Sequence, residues 1–263
     1  MAAVSATDAD PASGDLTDAQ RRALRIEIAV VLAVTFGLSA YTALLRLVES
    51  VLLGLSGQTV ALNPKRSPFD TIDLGLNLAS LFQLVAWGLL AVYLLWRGGD
   101  GPQRIGLTRI RWRQDILGGV GLAMLIGVPG LALYQIARII GLNASVEPAE
   151  LNDTWWRIPV LLLLAFGNGW AEEVIVVGFL MTRLRQLKVN PWTALVVSSL
   201  LRGAYHLYQG FGAGLGNVAM GLVFGYVWQR TGRLWPLIIA HTLIDVVAFV
   251  GYSLLAGRLG WLL

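Results

Sequence analysis

The sequence predicts an all-α fold: a polytopic bundle of about seven transmembrane helices. Of its 263 residues, 56% are hydrophobic and 14% are charged, and the mean hydropathy is +0.65. Soluble domains carry about a quarter charged residues, so this chain lacks the polar surface to face water on all sides. Seven apolar runs are long enough to span a bilayer. They cover residues 28–45, 74–96, 116–137, 158–182, 191–208, 211–229 and 234–257. The count becomes eight if the amphipathic stretch 46–55 is a separate interfacial helix.

The chain divides into a polar tail and one membrane domain. Residues 1–20 are rich in Ala, Ser, Asp and Thr, which is typical of a disordered tail. The N-terminal segment lacks the basic stretch and short apolar stretch that are typical of a signal peptide. The first apolar run is therefore expected to remain as an uncleaved span. Residues 21–263 form the single predicted transmembrane domain.

The basic residues predict the orientation of this domain. Most of the 20 Lys and Arg residues precede the first span or follow the second, fourth and sixth, which is one side of the membrane if seven spans alternate. The loop between the third and fourth spans is acidic instead. The positive-inside rule then places the N-terminus in the cytoplasm. Lys65, Arg66 and Arg258 are among the exceptions.

Composition also narrows the function. The chain has no cysteine, which excludes a thiolate nucleophile and a thiolate metal site. Membrane topology explains the net charge of +4, so no nucleic-acid partner is expected. Arg greatly outnumbers Lys, which favours a GC-rich bacterial genome and therefore a bacterial plasma membrane. Lipid and a peptide or protein substrate are the expected partners, and the oligomeric state is open.

Two adjacent carboxylates stand out at membrane depth. Glu172 and Glu173 lie in a run that is otherwise uncharged from 158 to 182. A single carboxylate at the centre of a span costs roughly 2.5–3.5 kcal/mol on insertion scales, so a pair indicates a functional site. The predicted spans contain two further charged residues and the only two histidines of the chain: Arg202, His206, His241 and Asp245.

The spacing of these residues predicts that they converge. A helical hairpin that turns near residue 189 places Glu172 and His206 at equal height on neighbouring antiparallel helices. His241 and Asp245 are four residues apart, as are Arg202 and His206, so each pair lies on one helix face. His241 follows Arg233 closely, so the last helix must tilt or begin deep in the membrane to reach Glu172.

A buried carboxylate with two histidines suits peptide hydrolysis, because the carboxylate can take a proton from water while other groups stabilise the oxyanion. Glu172, His206 and His241, with Asp245, could alternatively hold zinc. Two non-hydrolytic alternatives remain, namely a proton-coupled transporter and a non-catalytic immunity or scaffold protein. The main expectation requires no cofactor.

The ordered motifs resemble those of the CAAX protease and bacteriocin-processing (CPBP, or Abi) intramembrane proteases. The family's Glu-Glu-x-x-x-Arg motif is similar to 172–177, its Phe-x-x-x-His motif to 202–206, and its His-x-x-x-Asn/Asp motif to 241–245. The resemblance covers a core at about 155–255. It implies an endopeptidase in which Glu172 activates water, His206 orients it, and His241 with Asp245 stabilises the oxyanion. Glu173 would tune Glu172, and the substrate would be a CAAX-type terminus, a bacteriocin leader or another membrane-associated peptide.

Two positions depart from the family pattern. Val177 stands where the family has Arg, and Arg202 stands where it has Phe. We expect that the cation has moved between helices, so that Arg202 reaches the glutamate pair from the fifth span. The alternative is that Arg202 extends to the membrane surface or binds a lipid headgroup.

Overall fold

The computed structural model describes residues 16–251, and they form a helical bundle with one small sheet. The helices are α1 (Asp18–Val34), α2 (Phe36–Leu52), α3 (Asp70–Arg97), α4 (Trp112–Ile139), α5 (Arg157–Glu172), α6 (Leu180–Gln186), α7 (Pro191–Tyr205), α8 (Phe211–Thr231) and α9 (Trp235–Val246). Two π-helical segments, Glu173–Phe179 and Val247–Gly251, continue α5 and α9. Three short 3₁₀ helices cover Leu55–Gly57, Pro102–Ile105 and Leu207–Gln209.

The predicted N-terminal tail ends earlier than expected. Helix α1 begins at Asp18, and a capping box joins Thr17 and Gln20. These side chains satisfy backbone N–H groups of the first turn, so the helix begins inside the predicted tail 1–20. Residues 1–15 of that tail lie outside the described residues, as do Arg258 and the end of the last predicted run.

By length and composition, four helices can cross a membrane: α3, α4, α8 and the continuous helix 157–186. Helices α1 and α2 make a fifth span if the pair, bent by 49° at Thr35, is one broken span. The 15-residue α7 and the apolar helix Trp235–Gly251 are shorter. The chain is therefore a multi-pass membrane protein, while the count of seven spans and the cytoplasmic N-terminus remain predictions.

A two-stranded parallel sheet departs from the all-α prediction. Strand β1 (Thr59–Asn63) pairs with β2 (Ser145–Ala149), with Thr59 opposite Ser145. The two strands come from the α2–α3 and α4–α5 connections, which meet at one end of the bundle. The side chain of Asn63 donates to Pro148 O at 2.9 Å. Each strand has only five residues, so periodicity did not indicate strands.

The helix that carries the glutamate pair is the centre of the bundle. In its most apolar window 72% of the residues of helix 157–186 are buried, against 17% for α3 and 6% for α4. Glycines allow α8 to pack closely on α7. A Cβ on Gly221 would lie 2.8 Å from Ser199 Cα, and one on Gly225 would lie 2.5 Å from Leu195 Cδ1. Only glycine allows this approach.

Two arginines join helices at the other end of the bundle. Arg183 is buried, pairs with Glu27 at 2.7 Å, and donates to Leu94 O at 2.7 Å. Arg233, in the α8–α9 turn, pairs with the buried Asp115 of α4 at 2.5 Å. These hydrogen bonds raise the pKa of the Arg233 guanidinium above its usual range. The start of α9 is thereby attached to the start of α4.

Candidate active site

The glutamate pair lies where the central helix changes from α to π geometry. Glu172 ends α5 and is 7% exposed, whereas Glu173 begins the π-helical segment and is fully buried. Segments of this kind occur frequently at functional sites. The hydroxyl of Ser198 on α7 donates to Val176 O at 2.7 Å, so a neighbouring helix supports the irregular turn. A regular helix was expected over the whole run 158–182, and the π-helical segment shows that this expectation is wrong.

Arg202 bridges the two carboxylates. Its Nη1 lies 3.3 Å from Glu172 Oε2 and its Nη2 lies 2.7 Å from Glu173 Oε1. The guanidinium carbon also lies 5.8 Å from the ring centroid of Phe224. The side chain is fully buried, so the alternative in which Arg202 reaches the membrane surface is wrong. The contact expected from the hairpin is present.

Val177, at the position of the family's Arg, lies in the apolar core. It is fully buried in the same cluster as Val176 and Phe224. No charge occupies this position, and Arg202 supplies the cation beside Glu173 instead. A long side chain explains why Arg202 reaches residues 172 and 173, although the hairpin places its backbone level with residue 176.

His241 faces both glutamates from α9. Its Nδ1 lies 2.7 Å from Glu173 Oε1, and its Nε2 lies 3.9 Å from Glu172 Oε2. Asp245 follows one turn later, with Oδ1 at 3.8 Å from His241 Nε2. Leu234, directly before α9, has no exposed surface, whereas Thr231 and Gly232 of the α8–α9 turn are exposed. On α5, Gly169 permits the approach of α9, because a Cβ there would lie 3.1 Å from both Ile238 O and Thr242 N.

His206 is at the site but does not bond directly to Glu172. It caps the end of α7, and its Nδ1 lies 3.0 Å from Arg202 O. A carbonyl oxygen only accepts, so Nδ1 carries the proton and Nε2 keeps its lone pair in the neutral ring. His206 is close enough to Glu172 for an electrostatic interaction. The residue that meets Glu172 is its neighbour Tyr205, whose hydroxyl donates to Glu172 Oε2 at 2.6 Å.

The sequence analysis missed two residues of this cluster. Tyr205 stands between Arg202 and His206, and its place directly before the motif histidine was the available signal. Asn168 lies four residues before Glu172, hence on the same face of α5, and its Nδ2 donates to Asp245 Oδ2 at 3.3 Å. Both are ordinary residues for a helix, so neither attracted notice without a partner to contact.

Among the described residues, the geometry gives no support to the zinc alternative. Within 16–251, no three His, Asp or Glu side chains are grouped so that they could hold a metal ion. The cation beside Glu172 and Glu173 is the Arg202 guanidinium, which lies 3.4 Å from His241 Nδ1. A divalent ion bound by Glu172, His206 and His241 would meet this fixed positive charge.

Comparison with known proteins agrees with the motifs. Residues 154–247 match the family model described as type II CAAX prenyl endopeptidase Rce1-like. No curated protein and no solved structure matches the chain significantly. The matched segment runs from the start of α5 to the end of α9 and contains every site residue named above. The match confirms the resemblance to the CPBP family and identifies residues 154–247 as its Rce1-like segment.

Proposed function

We propose that the protein is an intramembrane endopeptidase that hydrolyses a peptide bond with water activated by Glu172. The observation that carries the proposal is the unequal burial of the two carboxylates, since Glu172 is 7% exposed and Glu173 has no exposed surface. Both hydrogen bonds that Glu172 accepts within the described residues, from Tyr205 and Arg202, go to Oε2. Oε1 is therefore left to accept a hydrogen bond from water. The family match supports the same class of reaction.

Glu173 supports the site instead of reacting. It has no exposed surface, and its Oε1 is held at 2.7 Å by both Arg202 Nη2 and His241 Nδ1. A carboxylate in that position has no path to water. It fixes the guanidinium and the imidazole in the orientations in which they face Glu172, as an orienting carboxylate does for a catalytic histidine.

The histidines supply the remaining functions. His206 Nε2, as an acceptor, orients the attacking water while Glu172 Oε1 takes one of its protons. His241 donates to Glu173 through Nδ1, so its Nε2 is a second donor when the ring is protonated. Nε2 faces the space between Glu172 and Asp245, where it stabilises the developing oxyanion. Glu172 then returns the proton to the leaving amine, which completes hydrolysis. Every step uses residues of this chain.

The substrate belongs to membrane-associated proteins or peptides, with a CAAX-type terminus or a bacteriocin leader as the two classes that the resemblance implies. The bacterial plasma membrane is the proposed location, with lipid as the surrounding partner. The oligomeric state enters none of these steps.

The test compares wild type with Glu172→Gln and Glu173→Gln, co-expressed with candidate peptides and read by mass spectrometry. Loss of a general base typically lowers the rate by about 10²–10⁴, so Glu172→Gln should abolish detectable cleavage while the protein remains folded. Glu49→Gln, at an exposed glutamate on α2, is the matched control and should cleave normally. Cleavage that survives Glu172→Gln would disprove the proposed base. A biological phenotype that survives it would favour the immunity or scaffold alternative.

A further inference from the structure

A polar groove between α3 and α5 extends from the sheet end of the bundle to Asn168, which is hydrogen-bonded to Asp245. Its volume is about 220 Å³. We propose that this groove binds the extended segment of the polypeptide substrate and delivers it to Glu172 from the end that carries β1 and β2. This inference rests on the proposed function, and it adds a binding site and a direction of entry.

The groove is lined by a polar stripe on a transmembrane helix. Asn77, Ser80, Gln83 and Trp87 line it from α3, spaced three or four residues apart and therefore on one helix face. The stripe is about 15 Å long at about 1.5 Å per residue. An extended chain rises by about 3.3 Å per residue, so four or five substrate residues would lie along it.

Gln83 is the most informative member of the stripe. It is exposed near the middle of the 28-residue α3, and its amide has no hydrogen-bond partner among the described residues. On water-to-cyclohexane transfer scales, burying an unpaired amide in hydrocarbon costs roughly 4–8 kcal/mol. The unpaired amide of Gln83 therefore indicates a polar neighbour at this depth. The backbone N–H and C=O groups of an extended polypeptide provide such a neighbour.

The inner end of the groove touches the active site in two ways. Asn168 lines the groove and also donates to Asp245 Oδ2 at 3.3 Å. Trp87 lines it as well and packs edge-on against Phe36, with ring centroids 5.8 Å apart. Phe36 lies against Tyr205 at 4.8 Å, and Tyr205 donates to Glu172.

The outer end of the groove indicates from which end of the bundle the substrate enters and which charge the substrate segment carries. The groove opens beside residues 62–66, at the connection between β1 and α3, which is opposite to the end with most of the basic residues. Arg66 is the only charged residue in its lining. A neutral or acidic segment therefore fits the groove better than a basic one.

The absence of cysteine makes the groove directly testable. Ser80→Cys and Gln83→Cys should react in membranes with a hydrophilic, membrane-impermeant methanethiosulfonate reagent, because only a thiol in contact with water forms the reactive thiolate. Phe82→Cys, on the outward face of α3 at the same depth, is the matched control and should not react. Exposed Ser56→Cys and Arg109→Cys mark the sheet end and the basic end. Both groove thiols should react when the reagent is added on the side of the membrane from which Ser56→Cys reacts.

The modified proteins then test the occupant. Labelling should lower the cleavage rate of Gln83→Cys relative to the same variant before labelling, and reductant should restore the rate before labelling. The same treatment should leave the cleavage rate of Phe82→Cys unchanged. Groove thiols that react no faster than Phe82→Cys, or that react from the side of Arg109→Cys, would overturn the entry route. Normal cleavage by labelled Gln83→Cys would show that the substrate does not occupy the groove. Failure of unmodified wild type to cleave any peptide would instead count against the proposed function.

Discussion

The Arg202→Leu substitution should destabilise the protein strongly, because this guanidinium compensates two carboxylates that are almost inaccessible to water. Arg202 is fully buried and lies 3.3 Å and 2.7 Å from Glu172 and Glu173. Removing one partner of a buried ion pair costs about 3–5 kcal/mol, since the remaining charge is left uncompensated. At about 2–4 °C per kcal/mol for a chain of this size, the expected fall in Tm is roughly 6–20 °C.

The assay is thermal unfolding of the detergent-purified protein, followed by the fluorescence of its 10 tryptophans. Arg46→Leu is the matched control, because it removes an Arg–Glu pair of similar length, 2.8 Å, whose side chains are 73% and 56% exposed. Exposed pairs contribute about 0–1 kcal/mol, so this variant should melt within about 4 °C of wild type.

A second substitution separates loss of charge compensation from loss of packing. Arg202→Leu/Glu173→Gln also removes the carboxylate that lies 2.7 Å from the guanidinium, so it should melt above Arg202→Leu alone. If Arg202→Leu melts with wild type, or if the double variant melts no higher than the single one, the guanidinium does not stabilise the site as argued.

Three further outcomes follow from the same geometry. Arg202→Phe should lose activity. Arg202→Phe/Val177→Arg restores the family pattern and should recover part of that activity. A folded double variant that recovers no activity would contradict the relocation of the cation. Gly169→Ala should reduce cleavage, because a Cβ 3.1 Å from the backbone of α9 forces that helix and His241 away from the glutamates. Gly75→Ala is the control, because a Cβ there meets nothing within 4 Å. It should cleave normally and melt at a slightly higher temperature. Cleavage should persist in a zinc chelator; inhibition that added zinc reverses would show that a metal takes part.

Much of the site was predictable because charged side chains are energetically unfavourable inside a membrane. Charged residues inside apolar runs are conspicuous, so Glu172, Glu173, Arg202 and Asp245 could be recognised from hydropathy alone. Spacing added that His241 and Asp245 share a face and that the fourth and fifth runs form a hairpin. These inferences require only the regular rise of a helix and a turn between two runs.

The pairing of individual atoms was not predictable in this way. Hairpin symmetry matched Glu172 with His206, but the structure brings Tyr205 to Glu172 and leaves His206 bonded to Arg202 O. The π-helical segment changes the register of the central helix locally, and α7 ends at Tyr205. Small changes of register exchange one neighbour for another, because adjacent residues on a helix point in directions about 100° apart.

The sequence by itself determined that this is a membrane protein with an intramembrane carboxylate pair and the ordered motifs of the CPBP family, because hydropathy and motif spacing are properties of the chain alone. Only the tertiary structure decided that Arg202 joins both glutamates, that Glu173 is fully buried while Glu172 is 7% exposed, and that β1 and β2 pair beside a polar groove. Each of these depends on side chains far apart in the chain, and their contacts arise from how the helices bend, end and pack.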